Sequence, residues 1–195
     1  MPRDAGDALD PLDLETSSRS VNFLTGRPWS DARRRWAADV LVKLPLYRNK
    51  PTLAALLASV RDHNVTVLSS ATGSGKSLLT PPLLLKTLTD ALGQGSWKVA
   101  VTVPKRKPTR DLAVSAAATL DAELGREVGF AYQDAEPGSS SDANTRLLFC
   151  TYGTLVKKVE RDADLSEFAA VVIDEFALVA RLCFVRRLGV HLCLS

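Results

Sequence analysis

Short apolar runs alternate with longer helical patterns along most of the chain. Continuous apolar runs that are rich in β-branched residues are typical of strands buried on both faces of a sheet. The stretches between several of them place apolar residues three and four apart, as amphipathic helices do. This alternation predicts an α/β domain of three layers, with helices on both faces of a mostly parallel sheet. The strands are expected at residues 65–70, 97–104, 128–133, 145–151 and 169–176.

Helix boundaries follow from small polar residues, proline and glycine. Ser30 or Asp31 is placed to cap a first helix, and Pro45 is expected to end it. Pro51 suits the first turn of the second helix, and Gly93 suits the end of the third. The four predicted helices occupy residues 28–45, 51–64, 76–93 and 109–125.

Changes in composition divide the chain into four parts. Residues 1–28 are rich in Asp, Ser, Gly and Pro with little periodicity, which predicts a disordered extension. Residues 29–64 form a helical lead-in, and residues 65–180 form the α/β domain. Residues 181–195 form an atypical tail of apolar and basic residues. We expect the domain to be truncated at this tail.

Composition and charge exclude several classes of protein. The chain has 195 residues, of which 46% are hydrophobic and 24% charged, as in soluble globular proteins. Its net charge of +3 permits a nucleic-acid partner without requiring one. Three cysteines without a CxxC spacing and two histidines form no recognisable metal pattern. The N-terminus lacks an apolar signal region and no run approaches a membrane span, so we expect a cytoplasmic or nuclear protein without membrane contact.

The segment 68–77, LSSATGSGKS, lies between a predicted strand and a predicted helix, which is the setting of a phosphate-binding P-loop. Two glycines can adopt positive φ, so that successive amides point at phosphate oxygens, while Lys76 adds a mobile cation. The Ser77 hydroxyl is a suitable Mg²⁺ ligand. Ser70 stands where the GxxxxGK[ST] pattern has its first glycine. The residues expected to bind ATP are Thr72, Gly73, Ser74, Gly75, Lys76 and Ser77.

Pro81, five residues after Lys76, gives the segment a further feature: GSGKSLLTP resembles motif I of the DEAH-box RNA helicases and their viral superfamily 2 relatives. The resemblance extends over about residues 44–177. LPLY looks like the segment that precedes the first helix in this family, VAVTVPKRKPTR resembles motif Ia, TRLLFCTYGTL resembles motif Ib, and VVIDEFA resembles motif II.

The resemblance implies a RecA-like domain that uses ATP and Mg²⁺. Asp174 would hold Mg²⁺ through water, and Glu175 would orient and deprotonate the attacking water, with Lys76 as the second catalytic residue. An apolar strand that ends in two carboxylates presents them at the carboxyl edge of the sheet, where open α/β sheets bind ligands. Ala177 stands where the family has a histidine that couples hydrolysis to motif III.

The same resemblance implies RNA bound by its backbone. The residues expected to contact single-stranded RNA are Lys105, Arg106, Arg110, Thr151 and Gly153. Two segments compete as the motif Ia equivalent, namely residues 104–106 and residues 108–110. A further basic group at 157–161 has an equal claim as an RNA contact and as a solvated helix face.

Three functions remain open at this point. The leading hypothesis is the first RecA-like domain of an ATP-dependent RNA helicase, with little hydrolysis in isolation because the arginine finger belongs to a second RecA-like domain. A catalytically inactive nucleotide- or RNA-binding module would suit Ala177. An unrelated P-loop phosphotransferase is disfavoured by Pro81 and the segment resembling motif Ib.

Overall fold

In the computed structural model, which describes residues 21–93, 95–132, 144–174 and 190–194, one parallel sheet of six strands forms the centre of the molecule. The strand order is β1-β6-β5-β2-β4-β3, and every neighbouring pair is parallel. The strands are β1 (Val65–Leu68), β2 (Lys98–Val103), β3 (Val128–Ala131), β4 (Leu147–Thr151), β5 (Phe168–Ile173) and β6 (Val190–Leu194).

Helices pack on both faces of this sheet, and the β1 residues Val65 and Val67 stay exposed. Alternate strand residues point to opposite sides, so Val99 and Val101 join a large core with the helices that precede β3, whereas Ala100 joins a smaller core beneath the helix that follows β4. The result is the predicted three-layer α/β fold. The helices are α1 (Asp31–Asp39), α2 (Pro45–Arg48), α3 (Lys50–Asp62), α4 (Lys76–Leu92), α5 (Arg106–Leu120) and α6 (Tyr152–Arg161), with a 3₁₀ turn at Leu41–Lys43.

All five predicted strands are present, and the structure adds a sixth. Strand β6 belongs to the segment interpreted as an atypical tail, and it lies between β1 and β5. Strand β6 is therefore the middle one of the three strands β1, β6 and β5. Among the described residues, no helix combines the length and the apolar character that crossing a membrane requires.

Several helix boundaries differ from those predicted. Pro45 does not end a helix; it opens α2, where its fixed φ and missing N–H cost nothing. Helix α5 begins at Arg106 rather than Thr109, and it ends at Leu120, because the C-cap Asp121 adopts a left-handed φ of 48° and stops the helix before Gly125. Helix α6 was not predicted from the pattern. Ser30 is the N-cap of α1, as one of the two alternatives had it.

Residues 21–28 of the predicted extension form a hydrogen-bonded turn that packs against the end of α5. The side-chain amide of Asn22 donates from Nδ2 to the carbonyl of Leu120 at 2.6 Å. The Asp121 carboxylate accepts from both the amide and the hydroxyl of Ser30, at 2.7 and 2.6 Å. Arg33 is 2% exposed and its Nε donates to the carbonyl of Thr119. The N-terminal part of the described chain is therefore tied to the end of α5 by buried polar contacts.

Candidate functional site

Four loops with chemically suitable residues meet at the carboxyl edge of the sheet. The P-loop follows β1, Asp174 follows β5, Lys105 follows β2, and the Thr151 end of β4 leads into α6. Because all the strands are parallel, all four loops emerge on the same side. Strands β1 and β5 with β6 between them form the P-loop half of this edge, and the adjacent strands β2 and β4 form its second half.

The P-loop backbone has the shape that an anion site needs. Gly73 and Gly75 adopt φ of +79° and +92°, in the region that favours glycine. Gly75 is the N-cap of α4, and no side chain caps that helix end. The first amides of α4, at Lys76 and Ser77, have no carbonyl partner within the helix. They are therefore suited to phosphate oxygens, which fits the predicted ATP site.

Side chains of the P-loop are held within the loop itself. The Lys76 ammonium donates to the carbonyl of Ser70 at 2.9 Å. The hydroxyl oxygens of Ser70 and Ser74 lie 2.7 Å apart, within hydrogen-bond distance. Ser74 is buried, and its amide donates to the carbonyl of Ala71 at 3.1 Å. These contacts close the loop on itself.

The short helix α2 and the leucine before it pack against the P-loop. The Leu46 amide donates to the carbonyl of Ser74 at 3.0 Å. A Cβ at Gly75 would lie only 2.8 Å from Cδ1 of Leu44, so the leucine occupies the space that a side chain would need. The LPLY segment was recognisable only as a family resemblance, and nothing in its sequence pattern predicts the contacts of Leu44 and Leu46 with the loop.

Prolines 81 and 82 lie inside α4 and are both buried. Neither has an N–H to donate, so two hydrogen bonds of the helix are missing there. The helix continues through them to Leu92, where a Gly93 of φ +73° ends it. The helix is held there by core packing, because the neighbouring residues Leu79, Leu83 and Leu84 belong to the hydrophobic core.

Asp174 is 6% exposed and directly follows β5. Its amide donates to the carbonyl of Thr102 at 3.1 Å, which ties this turn to the neighbouring strand β2. Since only β6 separates β1 from β5, the two strands are about 10 Å apart at a spacing of about 4.8 Å. A hydroxyl at Ser77 and a carboxylate at Asp174 on the same edge are hard oxygen donors of the kind that Mg²⁺ prefers. Glu175 and Ala177 lie outside the described residues.

The second half of the edge presents exposed basic residues. Lys105 is the N-cap of α5, and Lys105, Arg106 and Arg110, here named the α5 basic cluster, are all exposed. Thr109 is fully buried and its hydroxyl donates to the carbonyl of Lys105. Of the two motif Ia candidates, residues 104–106 span the bend after β2 and the first residue of α5, whereas residues 108–110 lie within the first two turns of α5.

The start of α6 lies at the same edge of the sheet as this cluster, on the opposite face of the sheet. Thr151 pairs with Val103 across β2 and β4, so the two strands end at the same height. Gly153 is exposed, and a Cβ there would meet no atom within 4 Å. The amino ends of α5 and α6 therefore face the same edge of the sheet. Helix amino ends are common sources of contacts to nucleic-acid phosphates.

Lys158 has a structural partner. Its ammonium donates to Glu167 at 2.8 Å, and Lys98 donates to the other oxygen of the same carboxylate at 3.1 Å. Partial burial alone would raise the pKa of Glu167, but the hydrogen bonds and charges of the two lysines outweigh it and hold the pKa below its usual value. Lys157 and Arg161 are exposed. The basic group at 157–161 thus includes one residue that stabilises the fold.

Comparison with known proteins assigns the family. The family model of the DEAD/DEAH box helicases matches residues 50–188. This chain belongs to the DEAD/DEAH box helicase family. Together with the parallel sheet and its P-loop, the match identifies the described region as a DEAH-like first RecA-like domain of superfamily 2.

Relatives of this helicase domain are much longer proteins. The chain is 33% identical over 167 residues to L540 of Acanthamoeba polyphaga mimivirus, which carries the name of an ATP-dependent RNA helicase, and the match covers 86% of the chain and 22% of L540. It is 33% identical over 140 residues to the ATP-dependent RNA helicase DHX29 of Mus musculus, covering 68% of the chain and 10% of DHX29. The chain thus spans about a fifth or less of these relatives.

A solved structure agrees with the fold. The Escherichia coli DEAH/RHA helicase HrpB superposes with a TM-score of 0.61 at 26% sequence identity, over 78% of this chain and 20% of HrpB. The resemblance to the DEAH-box helicases that the motifs indicated is therefore confirmed.

Proposed function

We propose that this domain binds ATP with Mg²⁺ at the P-loop and binds the RNA backbone at the neighbouring turns, as the first RecA-like domain of an RNA helicase. The observation that carries the proposal is the convergence of the P-loop, Asp174, the α5 basic cluster and the start of α6 on one edge of a parallel sheet. Open α/β sheets bind their ligands at this edge.

ATP binding is assigned to the P-loop amides and Lys76. The uncapped amino end of α4 favours negative charge, and Lys76 is within reach of the phosphates once it leaves the carbonyl of Ser70. Ser77 and Asp174 are the residues that would hold Mg²⁺, which neutralises charge on the β and γ phosphates when it is bound. Glu175 is assigned the role of general base, because it follows Asp174 directly in the sequence.

RNA binding is assigned to the half of the edge that contains β2 and β4. The α5 basic cluster supplies charge, and the residues around Thr151 and Gly153 supply backbone amides at the same edge of the sheet. Contacts of this kind recognise phosphates and sugars rather than bases, so we infer that binding is independent of RNA sequence. The names of L540 and DHX29 support RNA as the nucleic acid.

Hydrolysis and unwinding are assigned to a two-domain assembly. Related enzymes close the nucleotide site with residues from a second domain, and the arginine finger of such a domain often contributes about 10³- to 10⁵-fold to turnover. The relatives extend far beyond the part that this chain matches. The second RecA-like domain, in the same protein or in another, is therefore the proposed partner of this domain.

Calorimetry with ATP and Mg²⁺ tests the nucleotide site. Lys76→Ala is expected to lower the affinity at least tenfold, about 1.4 kcal/mol, because it removes the phosphate-facing cation. Ser77→Ala is expected to weaken binding more in the presence of Mg²⁺ than in its absence. Lys86→Ala is the matched control, since Lys86 lies on the same helix but is paired with Asp90 away from the loop. Equal affinity of the wild type and Lys76→Ala would refute the proposed site.

A further inference from the structure

The P-loop of this chain contains a hydroxyl pair that the usual P-loop sequence cannot form. Ser70 stands where the GxxxxGK[ST] pattern has glycine, and its Oγ lies 2.7 Å from the Oγ of Ser74. We propose that Ser70 is a positioning residue whose hydroxyl braces the P-loop in its phosphate-binding shape before the nucleotide arrives. This inference rests on the proposed ATP site and gives a specific role to the residue at which the chain departs from the motif.

The brace joins two points that the fold already fixes. Ser70 lies two residues beyond the end of β1. On the other side, Ser74 is 7% exposed, and its carbonyl accepts from the amide of Leu46 at 3.0 Å. A hydrogen bond between two anchored residues closes the base of the loop, whereas a bond between two mobile residues would leave it free.

Ser70 also contacts the catalytic lysine through its backbone. Its carbonyl accepts from the Lys76 ammonium at 2.9 Å, while its hydroxyl contacts Ser74. The two contacts use different atoms, so Lys76 can transfer to a phosphate without breaking the hydroxyl pair. The brace is therefore compatible with both the nucleotide-free and the nucleotide-bound loop.

A physical reason for the brace follows from the glycines on the loop. Gly73 and Gly75 allow the positive φ angles that the loop needs, but glycine also has the largest conformational freedom to lose on ordering. A loop that is already ordered loses less entropy when a ligand binds, which strengthens binding. Serine at position 70 restricts the backbone relative to glycine, and its hydroxyl adds a specific contact across the loop.

Hydrogen exchange of the nucleotide-free, full 195-residue chain tests the brace directly. Ser70→Ala and Ser74→Ala are each expected to increase exchange in peptides that cover residues 70–77, and the double variant is expected to add little to either single one. Ser59→Ala is the matched control, because Ser59 forms a hydroxyl pair of the same kind with Thr66 at 3.0 Å outside the loop. Unchanged exchange in both loop variants would overturn the proposal.

Binding of ATP with Mg²⁺ by the same variants tests the consequence. Ser70→Ala and Ser74→Ala are expected to lower affinity by about 2- to 10-fold, the range that one hydrogen bond contributes. The melting temperature without nucleotide is expected to match that of Ser59→Ala, and Ser70→Thr, which retains a hydroxyl, is expected to bind within about twofold of the wild type. A general loss of stability would instead lower the melting temperature of the two loop variants below that of the control, and would overturn the positioning role.

The two proposals fail in different ways. If neither the wild type nor Lys76→Ala binds ATP, the proposed nucleotide site is wrong and the brace has no ligand to position. If the wild type binds ATP and Lys76→Ala does not, but Ser70→Ala and Ser74→Ala bind as tightly as the wild type, the brace alone is overturned.

Discussion

Replacement of Gly75 by alanine is the sharpest test of how the P-loop is supported. The new Cβ would lie 2.8 and 2.9 Å from the two terminal carbons of Leu44 and 3.0 Å from its Cβ. Rotation of the leucine side chain can move the terminal carbons away, but its Cβ moves only with the backbone of residues 44–46. That backbone is bonded to the loop, because the Leu46 amide donates to the carbonyl of Ser74.

The expected loss in the free energy of unfolding has two parts, and the matching substitution at Gly73 separates them. Both glycines have positive φ, and an alanine in that region costs about 1–2 kcal/mol. A Cβ at Gly73 would meet no atom within 4 Å, so Gly73→Ala is expected to cost this strain alone. Gly75→Ala adds overpacking against Leu44, typically about 1–3 kcal/mol. We therefore expect a loss of about 2–5 kcal/mol in the free energy of unfolding for Gly75→Ala, against about 1–2 kcal/mol for Gly73→Ala.

Urea unfolding without nucleotide measures both variants, with matched slopes showing that the same surface is exposed. Combining Gly75→Ala with Leu44→Ala is expected to recover the part of the overpacking that the two terminal carbons of Leu44 cause, while the contact with its Cβ remains. The double-mutant cycle should therefore show a favourable coupling of about 1 kcal/mol or more. Equal destabilisation by the two glycine substitutions, or additive effects in the cycle, would show that Leu44 does not support the loop.

Three further predictions concern charge and turnover. Removal of the three charges of the α5 basic cluster is expected to make the plot of log affinity for single-stranded RNA against log salt concentration less steep, by about 0.7 per lost contact. The control Arg34→Gln on α1 is expected to leave the slope unchanged. An unchanged slope in the cluster variant would show that these residues face solvent. Glu175→Gln is expected to abolish ATP hydrolysis of this domain fused to a second RecA-like domain and to leave ATP binding intact, and persistent turnover would exclude Glu175 as the base. Glu167→Gln is expected to lower the free energy of unfolding at pH 7 by about 0.5–1 kcal/mol, a modest value because solvent screens the pair. Since the lysines lower the pKa of Glu167, this difference is fully present above the usual Glu pKa of about 4.3 and is lost as the pH falls through the lowered pKa of the folded protein; a difference that persists in acid would contradict the ion-pair explanation.

Local patterns in the sequence determined much of this domain. Apolar runs predicted five strands, because strands buried on both faces, such as β2 and β4, need apolar residues at nearly every position. The P-loop could be located because its glycines, lysine and serine are adjacent in sequence, so that one local turn brings them together. Family resemblance was equally accessible from the sequence, since it too is carried by short motifs.

Contacts between residues distant in sequence were decided only by the tertiary structure. The place of β6 between β1 and β5 depends on strand pairing, which no local pattern in residues 190–194 specifies. Asp121 ends α5 in a left-handed conformation while its carboxylate binds Ser30, some ninety residues earlier. From the sequence, Lys158 is equally suited to contact RNA and to face solvent, and only the structure shows that it pairs with Glu167. Sequence thus determined the motifs and most of the elements. Packing decided the place of β6 and which side chains are partners, because a hydrogen bond or ion pair between distant residues exists only once the chain has brought them together.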